Sequence, residues 1–199
     1  MDQGSSFRIG LDLDGVVARW SFGAVDWLNS RFGYTLDPAF EPPEWDWLEK
    51  QVAPEHWKAL WNRALDEHLF RDWVRPYNNA RPFVHELTKL GQVVVMTSRP
   101  KGAWKDTIEW WFIQGFPVVS GYNFFLSGKE KKHVHVNVLI EDNADNANAY
   151  GGPVLLLDRP YNRLPLEANV QRVYTLDEAL IGVAKLAGGL DSKKILAHP

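Results

Sequence analysis

The sequence contains no cysteine. That excludes disulfide staples, thiolate metal sites and cysteine nucleophiles, and it fits a reducing compartment. An excess of charge is also missing: 22 Lys and Arg stand against 25 Asp and Glu, a formal charge of −3. No broad electrostatic pull therefore draws the chain to long nucleic acid or to an acidic membrane surface. Long apolar runs are lacking too, since nothing approaches the roughly 18 residues of a membrane span, and the polar start Met1-Asp2-Gln3-Gly4-Ser5-Ser6 has no signal-peptide core. The expectation is a soluble cytoplasmic protein without a membrane partner. There is no internal repeat and no low-complexity tract. At 199 residues one domain with a small insertion is expected, burying roughly 70% of its unfolded surface. What the chain has in excess is tryptophan, ten residues in all.

Apolar runs mark the strands. Residues 7–13 (Phe-Arg-Ile-Gly-Leu-Asp-Leu) read as a first strand that stops at the turn signal Asp14-Gly15. Residues 93–96 (Val-Val-Val-Met) follow a helical pattern of Phe83, Leu87 and Leu90 closed by Gly91. Residues 136–140 and 154–157 are two more apolar runs, and Val173-Tyr174 is a weaker fifth before a helix over 176–186. Runs that are apolar on every residue predict strands covered on both faces, as in a parallel sheet between helices. Residues 103–114 read as one covering helix, with Trp110 and Trp111 as packing residues, whereas His133 and His135 alternate as in a surface strand.

Residues 16–79 differ in texture. Trp20, Trp27, Trp45, Trp47, Trp57, Trp61 and Trp73 lie here among charges and prolines, without a convincing strand. The pattern predicts a helical insertion at the carboxyl end of the first strand, where ligands bind in open parallel sheets. The expected organisation is a core of residues 1–17 and 79–187, a helical cap of 18–78 and a loose tail of 188–199.

Three strands end in chemically distinct polar groups: Asp12-Leu13-Asp14-Gly15-Val16, Thr97-Ser98-Arg99 and Glu141-Asp142-Asn143, with Lys129-Glu130-Lys131-Lys132 before the last. In a parallel sheet they converge at one edge. Carboxylates from two strand ends form a hard oxygen site suited to Mg²⁺, with hydroxyls and an ammonium left for phosphate oxygens. Each motif alone has a plainer reading: a charged turn for Asp12 and Asp14, turn capping for Thr97 and Ser98, a solvated face for the lysines, a helix start for Asp145.

Taken in order, the four motifs resemble those of the haloacid dehalogenase superfamily of Mg²⁺-dependent phosphatases. The resemblance runs over residues 7–158 and implies an α/β fold, a Rossmann-like parallel sheet flanked by helices with a small helical cap after the first strand. It further implies that Asp12 attacks phosphorus and becomes an aspartyl phosphate, and that Asp14 acts as acid and base. Asp12, the Asp14 carbonyl and Asp142 would hold the metal, with Glu141 in support. Thr97, helped by Ser98, would bind a phosphoryl oxygen. The motif lysine falls to Lys131, with Lys129 next. Arg99 could meet either phosphate or an acid. The aromatic-rich insertion and the Thr-Ser-Arg-Pro motif are more narrowly similar to the 5′(3′)-deoxyribonucleotidase group. That implies a deoxynucleoside monophosphate as partner, with its base held by cap aromatics. Trp20, Phe22, Trp45 and Trp47 are the candidates, and packing inside the cap is the competing role for each.

A sugar-phosphate or other small-metabolite phosphatase is the rival enzyme. A signalling receiver needs an acceptor Asp before the hydroxyl on the middle strand, and none precedes Thr97. A silent binding module would be expected to lose Asp12 or Asp14, and both are present. Base preference and any homodimer are left open.

Overall fold

The structure is a computed structural model and describes residues 7–188; the rest of the expected tail, from residue 189, lies outside the described residues. Six strands form one parallel sheet: β1 (Arg8–Leu11), β4 (Gln92–Thr97), β5 (Gly121–Phe124), β6 (Val138–Glu141), β7 (Val154–Leu157) and β8 (Val170–Val173). Their spatial order is β5-β4-β1-β6-β7-β8. Leu11 stands level with Val95 on one side and with Ile140 on the other, so the carboxyl ends of the three strands lie along one edge of the sheet.

The unbroken apolar runs are explained by burial on both faces. Ile9, Leu11, Val93, Val95, Val138, Ile140, Leu155 and Leu157 point into one core, which also takes Phe83, Val84 and Leu87 of α4 (Ala80–Leu90), Trp110 and Trp111 of α5 (Trp104–Ile113), and Leu180 and Val183 of α7 (Leu176–Leu186). The alternate residues Val94, Met96, Leu139, Val154 and Leu156 pack on the other face with Ala144, Ala147 and Tyr150 of α6 (Ala144–Tyr150). Helix ends follow local chemistry. The Thr175 hydroxyl caps α7 by accepting from Glu178 N, and Asn143 caps α6 by accepting from Asn146 N.

Between β1 and α4 the chain forms α1 (Trp20–Phe32), α2 (Trp47–Gln51), α3 (Pro54–Arg63) and a wide π-type turn over Leu69–Trp73. These carry an apolar cluster of their own, built on Val25, Trp27, Leu28, Leu48, Leu60, Leu69 and Phe70. Trp27 is buried in it and donates from Nε1 to Glu67 Oε2 at 2.9 Å. Helical content here matches the sequence reading, but a two-residue antiparallel pair, β2 (Ala18–Arg19) with β3 (Arg75–Pro76), corrects the expectation of no strand. It joins the two ends of the segment where they meet the sheet. His133 and His135 are also corrected: His133 closes a 3₁₀ turn over Gly128–His133 and His135 lies in the connection to β6, so neither is in a strand.

Candidate active site

The carboxyl ends of β1, β4, β6 and β7 carry the polar residues. Asp12, directly after β1, is buried and anchored through its N–H to the Ile140 carbonyl at 3.0 Å. One of its carboxylate oxygens accepts from Leu13 N at 2.8 Å, and the other faces Lys131 Nζ at 3.0 Å. Lys131 is itself 1% exposed and reaches Glu141 Oε2 at 2.7 Å. The second Glu141 oxygen accepts from the N–H groups of Asp142 and Asn143 at 3.2 and 3.1 Å. The 3₁₀ turn before β6 thus drives one lysine inward, and Lys129 of the same turn stays exposed.

Oxygens of Asp12, Glu141 and Asp142 lie within 4.8 Å of one another. Asp12 and Glu141 share the buried Lys131 ammonium while Asp142 stands beside them, and the consequences are electrostatic. Burial and the neighbouring Glu141 charge hold the Asp12 carboxyl well above the ordinary range, and the same two causes push Asp142 up to about 8. Glu141 goes the other way: burial would raise it, but Lys131 and the hydrogen bonds it accepts outweigh that cost. Burial likewise works against the Lys131 ammonium, and Asp12 with Glu141 keeps it charged. The cluster is an all-oxygen donor set short of positive charge, and it fits a small hard dication such as Mg²⁺. Glu141 accepts from Lys131 and two backbone N–H groups and Asp12 from Lys131 and one, whereas the Asp142 carboxylate is engaged at Oδ2 by Tyr161.

Gly15 makes the turn out of this site possible. Its φ of +81° suits glycine, and a Cβ there would overlap the Asp142 carboxylate and stand 2.7 Å from the Tyr161 hydroxyl. Asp14 is held by Arg99, whose Nε and Nη2 donate to its two oxygens at 2.8 and 2.7 Å. Of the two partners open to Arg99 in the sequence, the structure supplies the acid; the guanidinium is buried beside Phe70 and Trp110. Thr97 is buried with Oγ1 accepting from Arg99 N at 3.2 Å, and Ser98 is exposed.

The four aromatic candidates separate. Trp20 stacks on Trp61, ring centres 5.4 Å apart, with Trp57 edge-on, while Trp47 lies on Phe40 and Phe22 is covered by Arg19. Trp45 is 67% exposed and meets the Tyr161 ring edge to face at 5.5 Å. A cavity of about 330 Å³ between them is also lined by Ser127, Lys129, Asn143 and Asn146.

One group of residues went unread in the sequence. After β7 the loop over 158–163 returns to the site: Tyr161 OH donates to Asp142 Oδ2, Asn162 Nδ2 donates to the Asp142 carbonyl at 2.7 Å, and Arg159 donates twice to the Gly15 carbonyl. The signal was available, because Asp-Arg-Pro-Tyr-Asn-Arg directly follows an apolar run and the rule that ligands gather at strand carboxyl ends applies to it equally.

A parallel sheet carrying this acid, lysine and hydroxyl set defines the class: a phosphatase of the haloacid dehalogenase type. The chain belongs to the family described as 5′ nucleotidase, deoxy (pyrimidine), cytosolic type C protein, whose model matches residues 6–187. It is 27% identical over 156 residues to a 5′(3′)-deoxyribonucleotidase of Clostridium acetobutylicum, covering 78% of this chain and 83% of that one. To the protein BH1399 of Halalkalibacterium halodurans it is 29% identical over 184 residues, covering 86% and 90%. Among solved structures it resembles a haloacid dehalogenase-like hydrolase of Streptococcus pneumoniae in fold, with TM-score 0.59, 14% identity, and 87% and 96% of the two chains covered.

Proposed function

We propose that this phosphatase hydrolyses deoxynucleoside monophosphates in a Mg²⁺-dependent reaction through an aspartyl phosphate on Asp12. The observation that carries the reading is the buried set of Asp12, Lys131, Glu141 and Asp142, three carboxylates against one ammonium at the edge of a parallel sheet. Asp12 and Asp142, with the Asp14 carbonyl, would hold Mg²⁺, which when bound offsets the phosphoryl charge that repels an attacking carboxylate. An Asp12 oxygen forms the bond to phosphorus as the ester oxygen departs, and Asp14 protonates that oxygen. Asp14 then takes a proton from the water that cleaves the acyl phosphate, a role that contributes typically ~10²–10⁴-fold. Both Asp14 oxygens are engaged by Arg99, so acting as an acid requires exchanging one of these bonds for a proton. Thr97 Oγ1 and the Ser98 N–H bind phosphoryl oxygens, and Lys131, 3.0 Å from Asp12, aims its carboxylate and offsets part of the cost that burial and Glu141 place on its ionised form.

In this reading residues 18–78 are the cap over a core of 1–17 and 79–187, and Trp45 offers a face to the nucleobase. The similarity to a named deoxyribonucleotidase and the family description support the substrate class, and the family's cytosolic designation supports a cytoplasmic setting. The test is a panel of phosphomonoesters with Mg²⁺, run beside Asp12→Asn. Thymidylate and deoxyuridylate should be preferred over sugar phosphates, and the variant should stay folded while losing on the order of 10³-fold or more in kcat. The reverse substrate order overturns the nucleotidase reading in favour of a small-metabolite phosphatase, and undiminished turnover by Asp12→Asn overturns the mechanism.

A further inference from the structure

The 158–163 loop is bonded to both acidic loops at once. Arg159 Nε and Nη2 reach the Gly15 carbonyl at 2.9 and 2.7 Å, and Asn162 Nδ2 bridges the carbonyls of Asp142 and Leu157 at 2.7 and 2.8 Å. Asn162 is buried and is fixed in turn by Arg172, which donates to its side-chain and backbone oxygens. These bonds settle the backbone of the acidic loops. They leave the Asp142 carboxylate free to turn, since the terminal torsion of an aspartate is broad and nearly two-fold. The Tyr161 hydroxyl makes the remaining bond, to Asp142 Oδ2.

We propose that Tyr161 is a positioning residue for the cation: by holding Oδ2 it fixes the Asp142 carboxylate plane and presents Oδ1 to the metal. This rests on the metal reading above. The arrangement follows the general rule that groups bonded to a metal ligand orient it and raise its affinity. Because the Tyr161 ring also carries Trp45 at 5.5 Å, one side chain touches the metal ligand with its hydroxyl and the insertion with its face. The hydroxyl can be removed without removing the face, which makes the two roles separable.

The experiment is calorimetric titration of Mg²⁺ into metal-stripped wild type and Tyr161→Phe, with turnover followed as a function of Mg²⁺ in parallel. Tyr161→Phe should bind Mg²⁺ about 10–100-fold more weakly. Its kcat should recover as Mg²⁺ is raised. In an Asp142→Asn background the same change should add nothing, since the hydroxyl acts through that carboxylate. Unchanged Mg²⁺ affinity in Tyr161→Phe overturns the proposal, as does a kcat loss that added Mg²⁺ cannot restore. If wild type binds Mg²⁺ with the expected gap to Tyr161→Phe yet ignores deoxynucleotides, positioning stands and the substrate reading falls. No Mg²⁺ binding by wild type overturns both.

Discussion

Gly15 shows how one residue can hold a site open. It stands between the two aspartates of the first loop and Asp142, in the left-handed region, with its carbonyl taken by Arg159. A methyl group at this position meets the Asp142 carboxylate and the Tyr161 hydroxyl simultaneously. Neither can withdraw without loss, because the first belongs to the buried acid cluster and the second is bonded to it. Gly15→Ala should therefore destabilise by about 1–3 kcal/mol from backbone strain alone. It should also reduce turnover more than a comparable loss of stability elsewhere would. Thermal unfolding and kcat, measured on the same sample, check this; wild-type activity in the alanine variant would show that the loop relaxes freely.

At the scale of elements, the sequence made the buried strands legible and left the edge obscure. Residues 154–157 were readable to the residue, because burial on both faces demands unbroken apolar runs, and the helix expected over about 176–186 is there. β5 was missed: Gly-Tyr-Asn-Phe is only partly buried and lies at the sheet edge beside β4, so nothing forces an apolar run. In the site, Asp12, Lys131, Glu141 and Asp142 were legible because their chemistry is ordered along the chain, whereas the loop over 158–163 works by contacts that only folding creates. β5 also carries a testable cost. The Tyr122 hydroxyl is buried without a hydrogen-bond partner among the described residues, and burial raises it to about 12. An unfolded tyrosine ionises nearer 10, so the unfolded chain releases this proton first and stability falls as pH climbs from about 10 to about 12. Tyr122→Phe removes the unpaired group. It should leave the melting temperature equal or raise it by roughly 2–4 °C at neutral pH, and it should weaken the alkaline fall. A lower melting temperature would mean that the hydroxyl has a partner in solution.

For the molecule as a whole, the apolar clusters on the two faces of the sheet and in the insertion, with a modest net charge of −3, supply stability that the acid cluster partly spends. Burial and mutual repulsion disfavour ionised Asp12 and Asp142, and one lysine cannot neutralise three carboxylates. A dication bound there brings the cluster near neutrality, and binding to the folded state alone stabilises it by mass action. At 100 times its dissociation constant, Mg²⁺ should contribute about 2.7 kcal/mol, which for a chain of this length is a rise of roughly 5–10 °C in melting temperature. A chelator should reverse it. Asp142→Asn separates this from general salt effects: removing one crowded carboxylate should raise the metal-free melting temperature while erasing most of the Mg²⁺ response. Scanning calorimetry of both proteins with and without Mg²⁺ reads all four values. An equal Mg²⁺ shift in wild type and Asp142→Asn would place the ion somewhere other than the acidic cluster, and the absence of any shift in wild type would remove the dication from the account of this fold.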